Sequence, residues 1–244
     1  MNFYDDFLCG MTRGLTISFS GSDSEGLFLK NLGEQPVDWI YRTKKVEYSY
    51  NKHGFRCKNF DEIDLDNYVI FTGCSHTEGI GLALEDTFPY KVSEYLNIDY
   101  VNLAIGGTGL DVLEYNLITW FLKFKKKPKY AFIQWPDHSR YAGVFPKYEN
   151  IISVGSWRQE PEFKDFMVAS ELTGFFYGRK YMTTKLVSNI IDIPIFSIQY
   201  TSLSSYQTYD LFIKKMDTAR DLVHSGIKSN EDLIGQIIQR LSMR

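Results

Sequence analysis

Cysteine is scarce in this chain of 244 residues: there are three, Cys9, Cys57 and Cys74. An odd number without CxxC spacing indicates neither a disulfide framework nor a zinc knuckle, and a reducing compartment fits best. Long apolar runs are missing too, since no uninterrupted stretch approaches the roughly 20 residues that a membrane span requires. The opening, MNFYDDFLCGMTRG, carries two acids before any apolar stretch and lacks the apolar core of a secretory leader. A soluble, cytoplasmic protein with no membrane partner is therefore the expectation. No excess of one charge is present either: 27 basic against 30 acidic residues leave a formal net charge of -3, which points away from nucleic acid as a partner. The one basic run, Lys123 to Lys129, is short, contains Pro128 and reads as the solvated end of a helix. Histidine numbers four. Neither His76 nor His138 belongs to an HExxH or comparable cluster, so no metal is expected and both are assigned to packing or substrate contact.

What the chain does have is apolar residues, 44% of the total, enough for one α/β domain with a large core. Aromatics reach 16%, with 17 Tyr and 18 Phe; they serve either core packing or the lining of a carbohydrate or aryl groove. From about Asp66 onward, short β-rich runs alternate with helical patterns, as in βαβ units around a parallel sheet. Tyr68 to Thr72, Tyr100 to Ala104, Tyr130 to Trp135 and Ile195 to Tyr200 are the clearest strands. Helices are expected near Thr87 to Leu96, Leu110 to Lys125 and Phe163 to Ile190, the last broken around Gly174 or Gly178. A final helix from about Asn230 to Leu241 carries a Ser229 or Asn230 cap. Residues 1–65 show short runs punctuated by Gly, Ser, Asp and Asn without helical periodicity, and read as a strand-and-loop extension packed on a main domain of residues 66–244.

Two segments carry chemistry. In YVIFTGCSHTEGIG, an apolar strand runs directly into Ser75, and in open parallel sheets ligands bind beyond the carboxyl ends of strands. Flanking glycines let the backbone turn tightly and let a substrate approach. By itself, this spacing equally fits a helix-capping serine in an ordinary βα turn. Near the other end, ARDLVHSGIKSN sets Asp221 three residues before His224. A serine hydroxyl becomes a competent nucleophile when a base takes its proton, and an imidazole needs a carboxylate to hold its tautomer. Cys74 beside His76 does not make a thiol nucleophile, because adjacent side chains on a turn point apart. GGTG, at Gly106 to Gly109, lacks both GxGxxG and a P-loop lysine, so nucleotide binding is not expected.

Taken together, Gly-x-Ser-x-Thr-x-Gly-x-Gly after the first main-domain strand and Asp-x-x-His before the last helix resemble the SGNH (GDSL-type) serine hydrolases, with Cys74 where Asp is common. VNLAIGGTG resembles the family's second block, and YSYNKHGFR a segment found upstream in bacterial and phage members. The resemblance implies a flavodoxin-like three-layer α/β/α sandwich with a central parallel sheet. It also implies an esterase that uses Ser75 as nucleophile, His224 as base and Asp221 as its acid partner, with no cofactor. The backbone N–H groups of Ser75 and Gly107 would hold the oxyanion, and a sugar acetate is the leading substrate. In the third block, Gly-x-Asn-Asp, this chain departs: Pro136 stands in place of Asn and has neither a side-chain amide nor a backbone N–H. Gln134, which projects to the same strand face, is expected to supply that donor, with His138 as a second route. Arg140 is expected to touch a substrate anion or to serve in a surface ion pair. The missing Asn also supports a rival reading, a weak or inactive domain of the same fold that binds glycan.

Overall fold

Five consecutive residues, Tyr68–Thr72 (β3), are buried along their whole length, as a strand covered on both sheet faces must be. The computed structural model describes residues 7–9, 12–137, 140–145, 150–154, 171–200 and 211–243. Around β3 lie Asp99–Asn102 (β4), Ala131–Gln134 (β5), Ile195–Tyr200 (β8) and Leu211–Ile213 (β9). They form one five-stranded sheet in the order β4-β3-β5-β8-β9, every pairing parallel. Numbered from its own first strand the order is 2-1-3-4-5, that of the flavodoxin-like doubly wound fold. A separate antiparallel hairpin, Tyr141–Phe145 (β6) with Asn150–Val154 (β7), follows β5.

Alternate residues of β3 serve opposite cores. Ile70 joins Val101, Leu113, Leu117 and Trp120 on one face, under the helix Leu110–Lys123 (α4). Val69 and Phe71 join Phe88, Val92, Leu233 and Ile237 on the other, under Phe88–Leu96 (α3) and Ile227–Ser242 (α6). The layers are thus helix, sheet, helix. Much of the aromatic content is spent here: the rings of Phe71, Phe132 and Phe196 stack across three adjacent strands at 4.7 and 4.9 Å.

Several elements differ from the sequence expectation. Glu25–Glu34 (α1) is an α-helix within the stretch read as strands and loops, capped by Ser24, whose side chain accepts from the Leu27 N–H. Among the described residues of that region, the only sheet is a two-residue pairing of Thr16–Ile17 (β1) with Tyr48–Ser49 (β2). Glu171–Lys185 (α5) runs unbroken through Gly174 and Gly178 into a π-helical turn at Leu186–Ile190, while residues 163–170 lie outside the described residues. Helix α6 starts at Ile227, three residues before the expected Asn230, so that the expected caps Ser229 and Asn230 lie inside it. Its first-turn N–H groups at Lys228 and Ser229 donate to the Asp217 carboxylate, which takes the capping role from across the preceding loop. Among the described residues, no helix is long and apolar enough to cross a membrane.

The segment from Thr12 to Ile63 is tied to the sheet edge by buried polar contacts. Arg56, 1% exposed, donates to the carbonyls of Gly79 (2.6 Å) and Leu82 (2.7 Å), and its guanidinium lies over the Tyr48 ring. Tyr41, Val46, Tyr48 and Tyr50 pack with Ile80 in a satellite core. This segment therefore rests on the turn that follows β3.

Candidate active site

Where β3 ends, the chain turns through Gly73 and Cys74 into a single helical turn, Ser75–Glu78 (α2). Gly73 is required by close approach: a Cβ there would stand 2.6 Å from Thr77 Oγ1 and 2.9 Å from the Gln134 carbonyl. The first strand of the sheet is flanked by β4 and β5, so the turn sits at the topological switch point, where doubly wound folds open a crevice.

The second half of the site is the loop Thr218–Ser225, closed by a bridge between its ends and by Ala219 N–H donating to the His224 carbonyl at 3.0 Å. Within it, Asp221 Oδ1 accepts the N–H groups of Val223 and His224, each at 3.0 Å, an Asx-type turn that the side chain itself builds. Leu222 takes a left-handed conformation, φ 59°, at about 1 kcal/mol or more for a residue with a Cβ. Arg220 N–H donates to the Gly81 carbonyl, docking the loop against the segment after α2.

Sequence separation of 149 notwithstanding, the two halves meet. His224 Nε2 is 2.7 Å from Ser75 Oγ, and His224 Nδ1 is 2.6 Å from Asp221 Oδ2. The Asp221 side chain is fully buried and that of His224 is 12% exposed. Burial alone raises the Asp221 carboxyl, but the hydrogen bonds and charge of His224, with help from Ser22, outweigh it and bring it down to about 2. It is therefore a carboxylate throughout the neutral range. A base within reach of a hydroxyl, itself oriented by a carboxylate, is an arrangement able to generate an alkoxide-like nucleophile.

These groups open into a cavity of about 590 Å3, lined among others by Ser75, His224, Gly107, Glu78, Ile80 and Arg140. Gly107 stands at φ 77°, which turns the chain between β4 and α4 beside Ser75. Gly107 and Arg140 both stand on the cavity wall. His138 lies outside the described residues.

Gln134 is a correction. Its side chain is 2% exposed and does not line the cavity; Oε1 accepts from the Cys74 N–H at 3.0 Å and Nε2 donates to the Trp135 carbonyl at 2.9 Å. It holds the Gly73–Ser75 turn against β5 instead of offering an amide to a ligand. No Asn, Gln, Trp, Tyr or Phe occurs among the described residues of the cavity wall, so of the two uses the sequence left open for the aromatics, the lining of a groove is not served by them.

Three further side chains pack around these groups; of them the sequence named only His76, as a residue of packing or substrate contact. Glu78 is buried beside Ser75: it accepts from the Tyr50 hydroxyl at 2.7 Å and from the Gly106 N–H, and burial raises its carboxyl above the ordinary value. His76 stacks on Tyr200 at 4.6 Å and meets the His224 ring edge-on at 5.0 Å; burial, then the His224 charge, push it down to about 3, so it stays neutral. Ser22 reaches Asp221 from the N-terminal segment. Glu78 is visible inside the HTEG run, yet only the fold reveals what it holds; Ser22 carries no local signal at all. Among the described residues, no group of His, Cys, Asp and Glu is arranged to hold a metal ion.

No protein-family model and no curated protein sequence matches this chain. Among solved structures it is similar to a carbohydrate esterase described as having divergent catalytic and non-catalytic binding functions, at 12% identity over 73% of this chain and 65% of that one, TM-score 0.45. It is also similar to the acetyl xylan esterase Est2A of the rumen bacterium Butyrivibrio proteoclasticus, at 13% identity over 72% and 63%, TM-score 0.43. A third is a carbohydrate esterase family 2 enzyme with a carbohydrate-binding domain from Corynascus thermopiles (Myceliophthora fergusii), at 13% identity over 72% and 54%, TM-score 0.33. The chain spans less than two thirds of the length of each, at 65%, 63% and 54%.

Proposed function

We propose that this chain is a serine esterase in which Ser75 attacks the carbonyl carbon of a small ester. The observation that carries the reading is the continuous Ser75–His224–Asp221 hydrogen-bond chain, 2.7 and 2.6 Å, opening into a cavity at the switch point of the sheet. His224 Nε2 takes the hydroxyl proton as Ser75 Oγ bonds to the carbonyl carbon, and Asp221 stabilises the imidazolium. The N–H groups of Ser75 and Gly107 hold the oxyanion. Collapse of the tetrahedral species expels the alcohol, which takes the proton from His224; water, activated in turn by His224, then releases the acid. The substrate we place first is an O-acetyl group on a carbohydrate, on the strength of the superfamily resemblance of the GCSHTEGIG and DLVH motifs. Arg140 on the cavity wall suits a substrate with an acidic group near the ester.

A fluorophosphonate probe tests the reading. It should label the wild-type protein and fail on Ser75→Ala, while Ser75→Ala and His224→Ala each lower hydrolysis of an aryl acetate by about 10^3-fold or more with unchanged melting. Full turnover in folded Ser75→Ala would overturn the mechanism, and absence of labelling in the wild type would favour a binding domain. Because the unprotonated imidazole is the base and His76 is neutral at any working pH, activity should fall in acid through a single His224 limb. A rate flat down to about pH 4 is incompatible with a histidine base.

A further inference from the structure

Two hydrogen bonds converge on Asp221 Oδ2. One comes from His224 Nδ1; the other, at 2.7 Å, comes from the hydroxyl of Ser22, 199 residues earlier in the chain. Ser22 Oγ also lies 3.4 Å from His224 Nδ1, so it stands beside the Asp221–His224 pair and not merely behind the carboxylate. With Val223 and His224 N–H on Oδ1, the carboxylate has four donors, and Ser22 is the one supplied from outside the loop.

Ser22 is exposed, but its position is built. The backbone groups of Ser20 and Asp23 exchange hydrogen bonds of 3.0 and 3.1 Å, making a closed turn with Ser22 inside it. Ser20 Oγ is tied to the Tyr50 hydroxyl at 2.8 Å. Asp23, the next residue, grips the Arg220 guanidinium through both carboxylate oxygens at 2.6 to 3.0 Å, and Arg220 is the residue before Asp221. One peptide step on each side thus joins the same two partners twice: Asp23 to Arg220 by charge, Ser22 to Asp221 by a hydroxyl.

We propose that Ser22 is a positioning residue of the esterase site, a fourth member of the Ser75–His224–Asp221 chain that sets how strongly Asp221 holds the charged form of His224. The inference rests on the esterase reading. A hydroxyl donating to the same oxygen that accepts the imidazole N–H draws charge from that oxygen and weakens its pull on imidazolium. Without the hydroxyl, Oδ2 concentrates its charge on His224, the imidazolium is favoured, and the base form is reached at higher pH. The carboxylate also gains a rotation that the Ser22 bond prevents. Other titratable groups facing the ring are His76 and Glu78 from α2; Lys215 holds the neighbouring Val223 carbonyl at 2.8 Å, and Arg140 stands on the cavity wall. All of these stay in place when Ser22 alone is changed.

The experiment compares wild type, Ser22→Ala and Ser22→Thr by pH–rate profile on an aryl acetate, and by the far-downfield His224 Nδ1–H proton resonance, which needs no substrate. In Ser22→Ala the acid limb should move up by about half to one pH unit, kcat should fall about three- to tenfold, and the Nδ1–H resonance should shift. Ser22→Thr, which keeps the hydroxyl, should restore all three. If both the acid limb and the resonance of Ser22→Ala match wild type, the proposal is overturned, whatever happens to KM through the altered cavity wall. If the wild type shows no Ser75-dependent turnover the esterase reading fails, and the resonance alone then decides whether Ser22 controls the Asp221–His224 bond.

Discussion

Replacing Asp23 with alanine should destabilise the protein by several kcal/mol. Asp23 and Arg220 are 1% and 4% exposed, and the carboxylate accepts from Arg220 Nε, Arg220 Nη2 and the Tyr48 hydroxyl. Removing one partner of a buried ion pair costs about 3 to 5 kcal/mol, because the other charge is left uncompensated out of water. Arg220 would retain the carbonyls of Ser18 and Val46 and the faces of Phe19 and Phe28, at 4.6 and 5.2 Å, so the lower end, about 3 kcal/mol, is expected. For a chain of this size each kcal/mol moves Tm by about 2 to 4 °C, which gives a fall of about 6 to 12 °C by calorimetry. Tyr48→Phe removes a hydrogen bond to the same carboxylate and also the acceptor of the buried Gly81 N–H, so it should cost a comparable amount, about 3 kcal/mol. The double variant should lose less than the sum, since both changes act on one carboxylate. A fall below about 2 °C in Asp23→Ala would refute the view that this pair fastens the N-terminal segment to the Thr218–Ser225 loop.

Gln134→Ala should act on stability first, lowering it by about 1 to 3 kcal/mol, because the buried Cys74 N–H loses its acceptor; a thermal melt identical to wild type would restore the side chain to candidacy as an oxyanion donor. Glu78→Gln keeps an acceptor for the Gly106 N–H and removes a carboxyl that burial holds above its ordinary value of 4.5. A carboxyl raised in the folded state binds more protons there than when unfolded, so it weakens the fold as pH rises past the unfolded value. The Tm of Glu78→Gln relative to wild type should therefore climb as pH is raised from about 4, and a constant difference would show that Glu78 ionises as freely as in water.

Four of the sheet's five strands were legible: YVIFT, buried on both faces, reads as an unbroken apolar run, and the half-buried IFSIQY also has the bounds the sequence suggested, whereas the three-residue Leu211–Ile213 was not singled out. Helix α1 was not, since its ten residues EGLFLKNLGE bury only Asn31 and include Gly26 and Gly33, leaving neither an apolar stripe nor strong propensity. The start of α6 was misplaced because Ser229 and Asn230 are good capping types, whereas the cap is an aspartate ten positions before the first helical residue, which no local rule detects. At the site, Ser75, Asp221 and His224 were singled out from two short motifs, and the fold brings them within hydrogen-bond reach of one another. The error at Gln134 has a physical source: alternation along a strand indicates which way a side chain points, but not that the Cys74 N–H stands in its path.

Ser75 and His224 are 149 positions apart, and Ser22 and Asp221 are 199 apart. A ribosome adding about 5 to 20 residues per second exposes the serine roughly 7 to 30 seconds before the histidine exists. Over that interval the nascent chain carries a hydroxyl with no base, and the turn of Ser20 to Asp23 waits longer still for Arg220. The last fifth of the chain thus arms residues made in the first third, and contacts of such long range make slow folding the expectation. A truncation that spared every strand up to β8 would leave the sheet's first four members without the Asp221–His224 pair.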